Sequence, residues 1–290
     1  MGYRIRTMLL LVVLTLLLLG AGWLVGLWMG IPPFASITGA FILAMLLNFT
    51  VYWNSHKWVL KLHNAKIVSK KEEPQLHSMV ERLAENAELP RPRIAITDDD
   101  RPNAFATGRN PQNAVVAVTK GLIGNMPEDE IEAILGHELA HIKNRDMLVN
   151  TMAAMIAGAI AYLGMAGRFS MLFGRRRGKG GLLAILALIL LPIAAAIVRM
   201  SISRKREYGA DEEGAEISGN PAALANALER IQEITERKSK TQRRRGSRKG
   251  NPATSHMYIY NQLSGGGITK LFSTHPPVKD RVQRLRNMAS

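Results

Sequence analysis

Between Thr7 and Ser55 the chain carries no charged side chain. No other feature restricts the fold as much, because a helix of a soluble domain keeps a polar face for water and this run has little to offer one. A helix that crosses a bilayer needs about 20 apolar residues. The run has room for two, broken at Gly-Ile-Pro-Pro-Phe, residues 30–34. The spans are predicted at about Met8–Met29 and Ala35–Trp53. A cleaved leader has an apolar region of only about 7–15 residues ending in a small-residue site. This run is longer and a second apolar segment follows at once, so no cleavage is expected.

Two further segments have the same character. Met147–Ala166 is charge-free and rich in small residues, which favours close helix packing. Leu182–Met200 carries only Arg199, near its end, and Pro192 is a candidate kink. A buried soluble hairpin is the alternative for this pair; with two spans upstream, about four membrane helices are expected. Arg4 and Arg6 precede the first span, and Lys57, Lys61 and Lys66 follow the second. By the distribution of basic residues the N-terminus and the segment after Trp53 are both cytoplasmic. The loop of the second hairpin, with Arg168, Arg175, Arg176, Arg177 and Lys179, opposes that rule. Either that hairpin is shallow, or the first two helices fix the topology and carry the loop across; the second option is preferred.

The polar segments divide the chain further. Pro74–Ala87 places Leu76, Val80, Leu83 and Ala87 at helical spacing. Short β-branched runs at Arg93–Thr97 and Val115–Val118 predict a small sheet. A helix starting near Pro127 has Glu128, Asp129 and Glu130 in its first turn and Lys143 and Arg145 at its end, the charge order that a helix dipole favours. Asn220 and Pro221 open another amphipathic helix. Residues 236–252 hold eight Lys/Arg and one Glu and are expected to be a solvated loop.

The helix after Pro127 carries His137-Glu138-Leu139-Ala140-His141. Residues i and i+4 share a helix face, so both imidazoles can hold one metal ion. Glu138 lies about 100° away, where its carboxylate reaches a metal-bound water without being a ligand. This is the arrangement of two zinc ligands and a general base; the alternative is a helix with two satisfied structural histidines. The chain has no cysteine, so ligands come from His, Glu and Asp. Catalytic zinc commonly has three protein ligands. No third histidine follows closely, which excludes the metzincin pattern. Glu207 is the candidate, with Asp211 one turn later placed to accept a hydrogen bond from a ligand histidine. Glu212, Glu213 and Glu216 compete, and a solvated acidic face accounts for them better.

His137–His141, Ser-Arg-Lys-Arg-Glu-Tyr-Gly-Ala-Asp around Glu207, and Ser-Thr-His-Pro-Pro around His275 occur in that order. Together they resemble the HtpX-type family of membrane-bound zinc metalloproteases, more distantly related to the CAAX prenyl proteases. The resemblance covers nearly the whole chain. It implies a zinc endopeptidase of the gluzincin type in membrane-protein quality control, with one Zn2+ held by His137, His141 and Glu207, and Glu138 as catalytic base. It also implies that Asn103 and Ala104 lie on a strand edging the cleft, where an exposed edge binds extended substrate by strand addition. His275 resembles the family's C-terminal histidine and is placed to stabilise an oxyanion; a histidine that opens a helix before Pro276 and Pro277 is an equal alternative. His56, His63, His77 and His256 have no ligand spacing and are read as structural.

The expected fold is mainly α with a small β-sheet, an α+β zincin-like catalytic domain plus transmembrane helices. Residues 1–55 and 147–200 form the hairpins, and 56–146 and 201–290 the two catalytic parts. Both zinc-binding helices are expected to continue into the second hairpin, which sets the metal at the cytoplasmic membrane surface. The expected substrates are cytoplasmic segments of misfolded or damaged membrane proteins, beside the lipid bilayer. The alternatives are a CAAX-type processing protease, against which four spans argue, and a basic protein binding lipid or nucleic acid. The formal charge is +15, yet Arg237–Lys249 has no aromatic side chain for base stacking, so no specific nucleic-acid partner is expected.

Overall fold

The computed structural model describes residues 3–149, 204–244 and 276–290. The chain opens with two long helices, α1 (Tyr3–Met29) and α2 (Pro33–Leu62). The turn between them uses Gly30 at φ +71° and Pro33 in the first turn of α2. The helices approach closely where α1 has glycine: a Cβ on Gly22 would meet the Ala40 Cβ at 2.3 Å. Asn48 of α2 donates to Thr15 of α1 at 2.8 Å, a polar tie of the kind found between membrane helices. Phe41, Leu46 and Phe49 are exposed. Pro33–Asn54, 22 residues of mean hydropathy 1.9, is long and apolar enough to cross a membrane, whereas the apolar stretch Leu11–Leu27 is shorter. Of the two later spans only Met147–Val149 falls among the described residues, where all three are buried.

α2 runs past its apolar part to Leu62. Its last turns explain why: Val59 and Leu60 are buried with Ala95, Phe105, Val115 and Ala117 under one face of a sheet. That sheet has the order β1 (Lys66–Ile67), β2 (Arg93–Thr97), β4 (Val115–Thr119), β3 (Ala104–Thr107). β2 and β4 are parallel; the other pairs are antiparallel. The opposite face, through Ile94, Ala104, Ala106, Val116 and Val118, joins the main core. Strand alternation thus serves two layers, the end of the apolar hairpin below and the catalytic helices above.

Above the sheet lie α3 (Pro74–Asn86) and α5 (Glu128–Lys143), the latter following the short α4 (Lys120–Asn125). α3 buries Leu76, Val80, Leu83 and Ala84, the face its periodicity defined. α6 (Arg204–Ser218) packs along α5, α7 (Pro221–Arg244) crosses both, and α8 (Val278–Met288) closes the bundle against α6 and α7. Asn220 caps α7 by accepting from the Ala223 N–H at 2.9 Å. Arg230 of α7 holds the buried Glu130 of α5 through two bonds, 2.7 and 2.9 Å.

Three expectations need correction. The basic segment is not a loop from residue 236: α7 continues to Arg244. Lys, Arg and Gln favour helix, and no Gly or Pro stands before Gly246. α5 does not run straight into the apolar segment that follows. It ends at Lys143, Asn144 caps it, and Arg145 turns at φ +56° before a helical turn resumes at residue 146. Finally, β3 ends the sheet order but is not exposed, since all four of its residues are buried.

Candidate active site

The site is built where α5 and α6 touch. Gly136 and Gly214 face each other there. A Cβ on Gly214 would lie 2.6 Å from the His137 Cα, and one on Gly136 would lie 2.6 Å from the Gly214 carbonyl oxygen. Glycine in a helix interior costs roughly 1 kcal/mol against alanine. Here it permits an approach that no other residue allows, and so brings the histidine helix to the glutamate helix.

At that contact His137, His141 and Glu207 offer ligand atoms that all lie within 4.8 Å of one another, each residue buried. His141 Nε2 stands 3.8 Å from Glu207 Oε1. His137 turns its Nδ1 to Asp211, 3.1 Å from Oδ1, which leaves Nε2 for a metal. Arg281 of α8 grips Asp211 with both arms of its guanidinium, at 2.7 and 2.6 Å. His141 has a similar neighbour: its Nδ1 lies 3.5 Å from Asp146 Oδ2. Asp146 Oδ1 in turn accepts from Arg206 Nη1 at 2.7 Å.

Glu138, buried between these groups, accepts from the backbone N–H of Ala106 at 2.8 Å. The register explains that bond. Asn103 C=O accepts from Thr119 N–H at 2.9 Å, so Asn103, Phe105 and Thr107 bond inward to β4. The N–H and C=O groups of Ala104 and Ala106 therefore point away from β4, to the side where Glu138 lies. Asn103 stands at the start of that edge, with its N–H on the Thr119 hydroxyl at 2.9 Å.

The electrostatics suit a divalent cation. Four carboxylates, Glu138, Asp146, Glu207 and Asp211, are buried with the two guanidiniums of Arg206 and Arg281. The carboxylates outnumber the guanidiniums by two, and buried charge is stable only when paired, protonated or metal-bound. The pKa shifts follow from the same crowding of charge. Burial raises the Glu138 pKa, against the pull of both histidines. Burial alone would lower the His141 pKa, but Asp146, Glu207 and Glu138 overturn that and push it up to about 9. Burial likewise opposes the Asp211 charge, and Arg281 outweighs it, holding that carboxyl down at about 2. The donor set of two imidazoles and one carboxylate is one that zinc accepts.

Of the residues singled out in the sequence, the structure brings together His137, Glu138, His141, Glu207, Asp211 and, along β3, Asn103 and Ala104. Glu212 and Glu216 are exposed, and Glu213 pairs with Lys143 at 3.2 Å. His275 lies outside the described residues. Sequence reasoning missed Asp146, Arg206, Arg281 and the glycine pair. Glycines inside two helical patterns were a usable signal for the helix contact; the arginines gave none, since their partners lie 60 and 70 residues away.

Comparisons with known proteins identify the family. A family model, peptidase family M48, matches residues 70–289. A protease HtpX homologue of Pyrococcus furiosus is 48% identical over 292 residues, covering 99% of this chain and 96% of its own. Another, of Salinibacter ruber, is 48% identical over 252 residues and covers 86% and 87%. Among solved structures, the crystal structure of S. mikatae Ste24p gives a TM-score of 0.48 at 16% identity, over 84% of this chain and 57% of its own. With a match over most of its length and relatives this similar from end to end, the chain belongs to peptidase family M48, as an HtpX-type metalloprotease.

Proposed function

We propose that the protein is a multi-pass membrane zinc endopeptidase that cleaves cytoplasmic segments of misfolded or damaged membrane proteins, as a quality-control enzyme of the cell membrane. The observation that carries this reading is the position of Glu138. It is bonded to the outer edge of β3, the last strand of the sheet order, one face of which rests on the end of the apolar helix α2. Catalytic base, peptide-binding edge and candidate membrane helix thus form one continuous unit. The N-terminus, the catalytic parts and the C-terminus face the cytoplasm in this reading, with the second hairpin in the bilayer.

His137, His141 and Glu207 would hold the zinc. When bound, it lowers the pKa of a water toward neutrality and polarises the scissile carbonyl. Glu138 would take up a proton from the attacking water and return it to the leaving amine. Burial raises its pKa, which favours a carboxyl that can hold the proton between the two steps. The N–H and C=O groups of Ala104 and Ala106 that point away from β4 would take an extended substrate as an added strand once this buried edge is uncovered, with Asn103 holding its backbone. Release of the Ala106 N–H from Glu138 then accompanies substrate binding. His275 is assigned to oxyanion stabilisation.

The test uses purified full-length protein with an unfolded membrane protein as substrate. Glu138→Gln should retain zinc and lose hydrolysis by a factor of at least about 100. Turnover at the wild-type rate would exclude Glu138 as the base. Deleting residues 237–249 should leave proteolysis in place, as a lipid- or nucleic-acid-binding role for that run would not require.

A further inference from the structure

Asp211 behind His137 is readable from helical spacing. The carboxylate behind His141 is not, and the chain goes to some length to place it. On an unbroken helix residue 146 would lie about 140° round from His141. Arg145 instead adopts φ +56°, a left-handed conformation that non-glycine residues rarely take. The turn carries Asp146 back until its Oδ2 is 3.5 Å from His141 Nδ1. Strain of this kind persists only where surrounding contacts hold it. Here Arg206 supplies the contact, 2.7 Å from the other carboxylate oxygen, its side chain 13% exposed.

We infer that Asp146 is the positioning residue for His141, and that Arg206 holds it in that role. The inference rests on the zinc reading proposed above. His141 Nε2 faces Glu207, so a metal-bound ring carries its proton on Nδ1. That nitrogen is buried with no hydrogen-bond partner closer than the Asp146 carboxylate. A few tenths of an ångström of ring movement closes 3.5 Å to an ordinary hydrogen bond. An acceptor there fixes both tautomer and ring plane. Arg206 and Glu207 are neighbours on α6, one serving the carboxylate and the other offering itself to the metal. A displacement of α6 therefore disturbs both at once. The pair joins residues 60 positions apart in sequence, so the orientation of His141 depends on how α6 packs against the end of α5.

The experiment measures zinc affinity of full-length protein by chelator competition, together with the visible spectrum of the cobalt-substituted protein. Asp146→Asn should weaken zinc binding about 10- to 100-fold and shift the cobalt bands, although Asp146 is no ligand. Arg206→Gln should weaken it less. The double variant should be no weaker than Asp146→Asn, since Arg206 acts through Asp146. Val80→Ala, a core change in α3, should lower the melting temperature and leave the cobalt spectrum alone. If Asp146→Asn does not fold, the double variant carries the test, because it buries no unpaired charge. Zinc affinity within twofold of wild type and an unshifted spectrum, in whichever of these folds, would overturn the role of Asp146. Additive losses would overturn that of Arg206. A wild-type protein that binds neither metal would instead bring down the zinc reading, and this inference with it.

Discussion

The two histidines of the metal centre are backed by the same device in two settings. Behind His137, Asp211 and Arg281 sit inside the core, Arg281 being 1% exposed and bonded through two nitrogens. Behind His141, Asp146 and Arg206 sit where the chain leaves α5, joined by one bond, with the histidine at 3.5 Å rather than 3.1 Å. The inner pair is assembled by the last helix of the described chain, so it completes only when α8 docks. The outer pair joins the turn after α5 to the start of α6. One side of the centre is closed by α8 in the core, and the other at the periphery where α5 ends.

The largest effect should come from a change that strikes both sides equally. Gly214→Val puts a branched side chain where a single Cβ would already lie 2.6 Å from the His137 Cα. Overpacking costs roughly 1–3 kcal/mol when side chains can give way, and more against backbone. Separation of α5 and α6 then pulls Glu207 from both histidines. We expect zinc binding and proteolysis to be lost together, read by metal analysis of the purified variant and peptide digestion. Zinc retained at wild-type occupancy would show that the glycine contact does not set the centre.

Next comes the inner pair alone. Arg281→Met leaves Asp211 buried without its counter-charge, a lesion of about 3–5 kcal/mol. Denaturant unfolding should show a loss of that order. Arg206→Met should cost clearly less, because water reaches its surroundings more easily. Equal losses from the two substitutions would erase the distinction between a core side and a peripheral side.

Proton competition gives the third, smaller effect. In the metal-free protein the His141 pKa of about 9 lies above its ordinary 6.5. The proton therefore stabilises the fold fully below about pH 6.5, and that contribution is lost as pH rises through about 9. Metal needs the neutral ring, so zinc affinity should run the opposite way and rise over the same interval. Calorimetry near pH 7.5 in buffers of different ionisation enthalpy should detect about one proton released per zinc bound. Release of no proton would mean that His141 is already neutral and that the outer carboxylate does not charge it.

How much of this was legible in the sequence depends on the range of the interaction. α3, β2 and the start of α7 follow from local periodicity and capping, and their residues lie where expected. The pattern His137-Glu138-x-x-His141 is local too. Glu207 and Asp211 became readable only because they sit one turn apart on a single helix. The helical run from Asn54 to Leu62 looks polar in sequence, and its burial depends on a sheet that forms from residues 66–119. Asp146 was in view, yet its role depends on the left-handed Arg145. Arg281 is one of many arginines until α8 packs it onto Asp211.

The smallest predicted effect separates the metal centre from its acidic surroundings. Glu213 resembles a candidate ligand in sequence, but it points along the outside of the α5–α6 contact. There it accepts from Asn144 at 2.5 Å and lies 3.2 Å from Lys143, whose side chain is exposed. Both partners belong to the C-terminal end of α5, next to the turn that delivers Asp146. Glu213→Gln keeps the size and the link to Asn144 and removes only a screened ion pair, a change of about 1 kcal/mol or less. Zinc affinity should move by no more than about twofold, and any change should fall on the His141 side, since nothing described joins Glu213 to Asp211 or Arg281. A tenfold loss of zinc in this variant would mean that the end of α5 is held by its surface contacts, and that the outer aspartate–arginine pair does not position His141 by itself.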